Sequence, residues 1–256
     1  MLKFMTRSLI LLFFCTFLSL SHGGEVDKKL HQECLYPTIY VGRADQSGYG
    51  SGVIVRSDKV NDGLYKNVFI TCAHLIDETS IDYEVKQYIY ENWSQVKDVK
   101  SYPAVFFSYQ RDLDVAIGVF YSTEEMPVAK LDFDPKLFIG NDVFRIGCGL
   151  GDDPRLDYGK LTAIKKLPKP TFRTSVMTVP GDSGSPLFHD YKVIGIVVSI
   201  RSFRNLPVFT ISYAVPLERF KQWNDANNDN LSFPWKDKKL PEMVFRYLKF
   251  KQYDIK

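Results

Sequence analysis

The sequence predicts an all-β fold for most of this 256-residue chain. Its apolar residues fall mainly in short runs rich in Val, Ile, Phe and Tyr, which favour strands over helices. Polar segments with turn residues separate these runs, and Asn61-Asp62-Gly63 is a strong hairpin signal of this kind. All-β domains of about 200 residues commonly form one unit, so a mature chain of this size needs only a single domain.

The strand-forming runs fall into two groups along the chain, separated by residues 124–138. In the first group a hairpin is predicted around residues 61–63, and its second strand leads to His74. The predicted strands of this group are residues 53–55, 68–70, 83–90, 104–109 and 115–120. Those of the second group are residues 143–148, 160–164, 174–178, 193–199 and 209–215.

The composition is that of an ordinary soluble globular protein. Hydrophobic residues make up 45% of the chain and charged residues 25%, and the formal net charge at pH 7 is +3. A net charge this small gives no general attraction for polyanions, so nucleic acid is not an expected partner.

The N-terminus has the features of a signal peptide, which we assign to residues 1–23. Lys3 and Arg7 form a basic n-region, and residues 8–20 form an apolar h-region too short to span a bilayer. Small residues in Ser21-His22-Gly23 mark the expected cleavage point. We therefore predict an exported protein, secreted or periplasmic, without a stable membrane span after cleavage. A retained anchor is the alternative.

Cysteine and histidine usage argues against a dense disulfide framework and against a metal site. Cys34, Cys72 and Cys148 would remain after signal cleavage, an odd number, although one disulfide plus one free thiol stays open. The four histidines show no paired spacing and no His-Glu-x-x-His motif. The sequence therefore predicts neither a metal ion nor any other cofactor.

Three short segments carry residue types that together perform acyl transfer. They are Thr71-Cys72-Ala73-His74, Asp114-Val115-Ala116-Ile117 and Gly181-Asp182-Ser183-Gly184-Ser185-Pro186. A serine hydroxyl attacks a carbonyl only when a base removes its proton, and an imidazole is that base when a carboxylate fixes its tautomer. The chain order His, Asp, Ser is that of chymotrypsin-like enzymes and differs from the orders in subtilisins and α/β-hydrolases.

These segments resemble those of the trypsin/chymotrypsin-like serine endopeptidase superfamily, and in detail its microbial trypsin-like branch, which includes HtrA-type proteases and glutamyl endopeptidases. Further matching segments are Gly50-Ser51-Gly52-Val53-Ile54, Ile146-Gly147-Cys148-Gly149, Gly159-Lys160-Leu161 and Tyr213-Ala214-Val215-Pro216. The resemblance implies two six-stranded antiparallel β-barrels, with the active site in the cleft between them and a short C-terminal helical segment.

The resemblance also divides the chain into parts. It assigns residues 37–223 to the peptidase domain, with the boundary between the barrels near residues 121–140 and a closing helix at 217–223. Residues 24–36 would form an N-terminal arm or short propeptide, and residues 224–256 a polar linker and a basic helix or tail. That tail is too short for the peptide-binding PDZ domain that follows many HtrA-type proteases.

The resemblance gives each residue of the three segments a role. His74 is the general base, Ser183 is the nucleophile, and the backbone N–H groups of Gly181 and Ser183 form the oxyanion hole. Two carboxylates, Asp112 and Asp114, are available to orient the imidazole. Asp114 fits better because a small apolar run follows it, and Asp112 is then a solvated loop charge.

Two cysteines lie close to these segments. Cys148 resembles the cysteine nucleophile of viral proteases with the same fold, but it lies well upstream of the nucleophile loop and is not expected to attack. Cys72 is expected to be a core thiol, because alternation along the strand points it into the barrel. Asp182 is expected to order the nucleophile loop.

Substrate preference is inferred from the pocket that receives the side chain before the cut. The resemblance places Met177 at its floor and Val198, Ser199 and Ile200 along its wall. No carboxylate stands at the floor, so cleavage after Arg or Lys is not expected. Glutamyl endopeptidases have a histidine where this chain has Val197, which argues against acidic substrates, and Ile200 favours small aliphatic residues.

The sequence thus predicts an exported serine endopeptidase that acts on protein or peptide substrates through an acyl-enzyme. One alternative is a binding or adhesion module that has the fold of a protease but no longer hydrolyses a substrate. A second alternative is an esterase with the same fold.

Overall fold

The computed structural model describes residues 26–221, apart from residues 46, 62, 77–82, 166–170, 205 and 220. The predicted signal peptide and the predicted C-terminal linker and basic helix or tail therefore lie outside the described residues. Of the predicted closing helix, residues 217–219 form a helical turn. No helix among the described residues is long and apolar enough to cross a membrane.

The first six strands form a closed antiparallel barrel. Asn61 of β2 pairs with Leu64 of β3, so the predicted Asn-Asp-Gly segment closes the hairpin, with Gly63 at φ +80°. Around the barrel the strand order is β1-β2-β3-β6-β5-β4. The strands are β1 (Thr38–Arg43), β2 (Tyr49–Asn61), β3 (Leu64–Thr71), β4 (Tyr83–Glu91), β5 (Gln95–Gln110) and β6 (Val115–Ser122).

The remaining strands form a second barrel. Its order is β11-β8-β9-β10-β13-β12, and an antiparallel pairing between β11 and β12 closes it. A short seventh strand, β7, pairs with β12 in parallel. The strands are β7 (Lys130–Leu131), β8 (Asp142–Gly147), β9 (Arg155–Lys165), β10 (Thr171–Thr174), β11 (Pro186–His189), β12 (Lys192–Phe203) and β13 (Leu206–Pro216). The prediction of two six-stranded barrels is confirmed.

Several strands are longer than predicted, such as β2 and β5, and two further kinds of difference stand out. Strands β1, β7 and β11 were not predicted, and β7 and β11 are too short, at two and four residues, to give a strand pattern. The prediction of a strand at residues 174–178 is wrong beyond Thr174. After this residue the ladder with β13 ends. The Ser175 N–H still donates to the Lys160 carbonyl at 3.0 Å and the Thr178 N–H to the Phe209 carbonyl at 2.9 Å, but these isolated bonds do not continue the strand.

The two barrels share a buried apolar contact. Val53, Ile70 and Ile117 of the first barrel belong to the same core cluster as Ile146 and Phe188 of the second. Burial of apolar surface at this contact fixes the barrels relative to each other, because each buried aliphatic side chain contributes roughly 1.5–3 kcal/mol. The loops that end β3, precede β6 and precede β11 meet along this contact.

An N-terminal arm packs across both barrels. It consists of α1 (Lys28–Leu30), capped by the Asp27 carboxylate, and a π-helical turn (His31–Leu35). Cys34 is fully buried in the shared core cluster. The Tyr191 hydroxyl of the second barrel donates to the Asp27 carboxylate at 2.7 Å. The predicted arm is thus an integrated part of the folded domain.

Candidate active site

The His74 side chain is positioned by the end of strand β3. It lies on a single 3-10 turn, Ala73–Leu75, that follows this strand directly. Strand β3 pairs with β6 in a register that sets Thr71 opposite Ala116. This register brings the turn that carries His74 beside Asp114, the residue just before β6.

Asp114 holds His74 through two hydrogen bonds, one at the imidazole and one at the backbone. Its Oδ2 atom lies 2.7 Å from His74 Nδ1, and its Oδ1 atom accepts from the His74 backbone N–H at 2.8 Å. Asp114 has φ +55°, a left-handed conformation that aspartate tolerates better than most residues. Of the two carboxylates in this turn, Asp114 reaches the histidine, and Asp112 is exposed. The bond at Nδ1 favours the tautomer in which Nε2 is free to act as a base.

Arg111 supports the same turn, and sequence reasoning missed it. Its guanidinium donates to the carbonyl of Ala73 at 3.3 Å and to the carbonyl of Ile76 at 3.1 Å. These two residues are the first residue of the turn that carries His74 and the residue that follows the turn. Arg111 is the first residue of the Arg-Asp-Leu-Asp segment, and a basic residue beside the Asp114 motif could have been noticed in the sequence. Its neighbours in sequence do not show which carbonyl groups it binds.

The Ser183 loop is tied to the first barrel through Ser51, a fully buried residue of β2. The Ser51 N–H donates to the Ser183 carbonyl at 2.7 Å, and the Ser51 hydroxyl donates to the Gly181 carbonyl at 2.8 Å. The Ser51 carbonyl accepts from the Thr71 hydroxyl at 2.6 Å, next to the turn that carries His74. Ser51 therefore links the Ser183 loop to the histidine turn, a role that the sequence motif alone did not reveal.

Gly184 allows this close approach. Its φ is +88°, and a Cβ atom there would lie 2.1 Å from both the Ser51 carbonyl oxygen and the Thr71 hydroxyl. Gly181 also has a positive φ, +95°. Any other residue at position 184 would push the Ser183 loop away from the end of β3.

A buried ion pair between Asp182 and Arg145 of strand β8 anchors the Ser183 loop. Asp182 and Arg145 are both fully buried, and Arg145 Nη2 lies 2.5 Å from Asp182 Oδ2. Burial raises the pKa of the Asp182 carboxyl, an effect that the Arg145 charge opposes, and burial likewise lowers the pKa of Arg145. The Arg145 Nε–H also donates to the Met177 carbonyl at 2.9 Å. The predicted ordering role of Asp182 thus has a partner, Arg145, that the sequence did not indicate.

A cavity of about 360 Å³ opens beside His74 and Asp114. Val198, one of the predicted pocket residues, lies in its wall. The described lining does not include Met177, Ser199 or Ile200; Met177 is 45% exposed. The cavity is lined by His74, Arg111, Asp112, Leu113, Asp114, Thr171, Val198 and Val215.

A comparison with models of protein families shows the family to which this chain belongs. The model of the trypsin-like peptidase domain matches residues 50–196, which include His74, Asp114 and Ser183. The chain belongs to the trypsin-like peptidase family. The predicted superfamily is therefore confirmed.

The relatives of this trypsin-like peptidase have names that agree with the predicted enzyme class, a serine protease. A probable periplasmic serine endoprotease DegP-like from Marinomonas sp. (strain MWYL1) is 27% identical over 180 residues, 68% of this chain and 34% of that protein. A putative protease Do-like 14 from Arabidopsis thaliana is 22% identical over 193 residues, 71% of this chain and 42% of that protein. The matched part of the chain thus spans 34% and 42% of the length of these two relatives.

A solved structure supports the fold of this trypsin-like peptidase. The serine endoprotease from Yersinia pestis aligns with a TM-score of 0.61 and 17% sequence identity. The alignment covers 81% of this chain and 68% of that one. At this identity the likeness establishes the two-barrel architecture alone.

The three described cysteines of this trypsin-like peptidase are free, so the option of one disulfide is wrong for them. Burial raises the pKa of the Cys34 and Cys148 thiols to about 12. Burial, followed by the charge of Asp114, raises the pKa of Cys72 well above its usual value. Each thiol is therefore protonated at neutral pH, which makes it a poor nucleophile.

Cys72 is buried as predicted, but it also faces the site. It follows the last residue of β3, and its sulfur lies 3.5 Å from His74 Nε2. Among the described residues, His74 Nε2 is within hydrogen-bonding distance of the Cys72 thiol, and no hydrogen bond joins it to Ser183. Strand alternation could not predict this contact because β3 ends at Thr71.

Proposed function

We propose that this chain is an exported serine endopeptidase that cleaves peptide bonds through an acyl-enzyme. In this proposal His74 is the general base, Asp114 orients it, and Ser183 is the nucleophile. The observation that carries the proposal is the pair of hydrogen bonds that the Asp114 carboxylate accepts from the ring and the backbone N–H of His74, at 2.7 Å and 2.8 Å. A carboxylate placed in this way selects the tautomer that catalysis requires.

The reaction follows from these roles. His74 Nε2 takes the proton of the Ser183 hydroxyl as its oxygen attacks the substrate carbonyl, and Asp114 stabilises the imidazolium that forms. The imidazolium then gives its proton to the leaving amine, and the acyl-enzyme remains. Water, activated by the same nitrogen, attacks the acyl-enzyme and releases the second product.

Two peptide planes support an oxyanion hole at Gly181 and Ser183. The Pro180 carbonyl accepts from Leu150 N–H at 2.7 Å, and the Asp182 carbonyl accepts from Ser185 N–H at 3.0 Å. In a trans peptide the N–H points opposite to the preceding carbonyl. The N–H groups of Gly181 and Ser183 are therefore turned away from these internal contacts, and they can donate to the charge that develops on the substrate oxygen.

We further propose that the pocket formed by Met177, Val198, Ser199 and Ile200 accepts small aliphatic side chains such as Val or Ala. Val198 contributes an apolar wall to the cavity beside His74. The carboxylates of that cavity, Asp112 and Asp114, lie on its histidine side. The proposed floor residue, Met177, offers no partner for an Arg or Lys side chain, whose burial there would be costly.

The proposed location is secreted or periplasmic, and the proposed substrates are proteins or peptides. Support comes from the signal-peptide features of residues 1–23 and from relatives whose names include "periplasmic".

Digestion of a proteome-derived peptide library tests this function. The mature chain, beginning at residue 24, should generate new peptide ends that follow small aliphatic residues, and Ser183→Ala should generate none. Mass spectrometry of the products reads out both results. Cuts after Arg or Lys would contradict the proposed pocket. An absence of cuts by the wild type would favour the binding or adhesion module.

A further inference from the structure

We propose that Cys72 and His74 form a zinc-binding site, in which a Zn²⁺ ion bound between the Cys72 sulfur and His74 Nε2 blocks the general base. The inhibitory consequence rests on the proposed function, whereas binding of the ion does not. The ion would be a regulator and not a cofactor of the reaction.

The spacing of the two ligand atoms fits zinc. Typical Zn–S and Zn–N bonds are about 2.3 Å and about 2.0 Å long, so two ligands at a tetrahedral angle lie about 3.5 Å apart. The Cys72 sulfur and His74 Nε2 are 3.5 Å apart. The site can therefore accept the ion without a change in the separation of the two ligand atoms.

Asp114 provides the support that zinc-binding histidines usually have. Its Oδ2 atom is 2.7 Å from His74 Nδ1, and such a carboxylate fixes the ring orientation and increases the basicity of the other nitrogen. Ligand atoms of Cys72, His74 and Asp114 all lie within 4.8 Å of one another. The arrangement that would make Nε2 a good base thus also makes it a good metal ligand.

The ion can reach the site from the histidine side. Cys72 is fully buried, but the His74 side chain is 44% exposed and lines the cavity of about 360 Å³. On binding, the thiol S–H bond breaks, a Zn–S bond forms, and the proton leaves to solvent. Water completes the coordination shell on the cavity side. Because zinc then occupies Nε2, His74 cannot take the proton of the Ser183 hydroxyl.

The first experiment measures metal binding without catalysis. Mature Ser183→Ala protein is titrated with Co²⁺, which gives a thiolate-to-cobalt charge-transfer band when a cysteine is a ligand, and zinc affinity is measured by calorimetry. We expect the band in this protein and its loss when Cys72→Ala is added. Zinc affinity should fall at least about tenfold with Cys72→Ala and about 10–100-fold with Asp114→Asn.

Cys34→Ala is the matched control, because Cys34 is an equally buried thiol in the N-terminal arm. This variant should keep both the cobalt band and the zinc affinity. Cys72→Ser, which keeps the side-chain volume, should lose both and so separates ligand loss from a packing defect. Absence of the band, or equal zinc affinity in the Cys72 variants, would overturn the proposal.

The second experiment measures inhibition. Zinc should slow peptide cleavage by the wild type, and EDTA should restore it. The zinc concentration for half inhibition, taken relative to the uninhibited rate of each protein, should rise at least about tenfold in Cys72→Ala and stay unchanged in Cys34→Ala. If the wild type cleaves nothing, the proposed function fails, and the cobalt titration still decides the metal site.

Discussion

Asp114→Asn should lower kcat/KM for peptide cleavage by about four orders of magnitude, because it removes the carboxylate that sets the His74 tautomer. Asp114 accepts from two N–H groups, the ring Nδ1 and the His74 backbone, through its two oxygens. An asparagine has one oxygen, so its NH₂ group must face one of these sites. Either the ring adopts the wrong tautomer or the backbone N–H loses its acceptor.

Asp112→Asn is the control for this prediction, since it makes the same chemical change two residues earlier on an exposed side chain. It should keep kcat/KM within about twofold, as surface substitutions away from such contacts have little effect. Steady-state kinetics on one peptide substrate compares the two variants, and circular dichroism checks that both are folded. A large loss of kcat/KM in Asp112→Asn, with little loss in Asp114→Asn, would show that Asp112 and not Asp114 orients the imidazole.

Arg145→Met should destabilise the domain by about 3–5 kcal/mol, the usual cost of removing one member of a buried ion pair. Arg155, at 3.6 Å from the same carboxylate, is too distant and too exposed to replace it. Both Arg145 and Asp182 are fully buried, so no solvent replaces the lost charge. Because Asp182 precedes Ser183 directly, the nucleophile loop should lose its order and activity should fall as well. Urea unfolding measures the free energy of unfolding, and peptide cleavage measures activity.

Arg155→Met is the matched control for Arg145. Its guanidinium lies 3.6 Å from the Asp182 carboxylate, and the side chain is 41% exposed. We expect a loss of less than about 1 kcal/mol, as for other exposed ion pairs. Combining Arg145→Met with Asp182→Leu should recover stability but not activity, since apolar pairs often replace buried ion pairs without loss. An unchanged urea midpoint in Arg145→Met would show that the pair does not anchor the loop.

The sequence predicted the elements whose signals are local. The Asn-Asp-Gly segment marked the hairpin of β2 and β3, and the short motifs around His74 and Asp114 marked two residues that are hydrogen bonded in the structure. The role of Ser183 stays a prediction. Motif and turn signals depend on neighbouring residues, so they can be found without knowledge of the fold.

The supporting contacts could not be predicted because their partners are distant in sequence. Ser51 binds the carbonyl of Gly181 across 130 residues, and Arg145 of strand β8 reaches Asp182 in the Ser183 loop. The zinc-compatible contact of Cys72 depends on where strand β3 ends. Such pairings follow from strand register and barrel closure, which the sequence pattern alone did not fix.

Covalent labelling of the active site tests the central claim most directly. The mature wild-type chain is treated with a fluorophosphonate probe beside Ser183→Ala, and the modified residue is mapped by mass spectrometry. We expect one label per chain, on Ser183, and none in the variant, because only a serine activated by a base reacts with this probe at an appreciable rate. A folded wild-type chain that takes up no label, or takes it up equally in Ser183→Ala, would contradict the account.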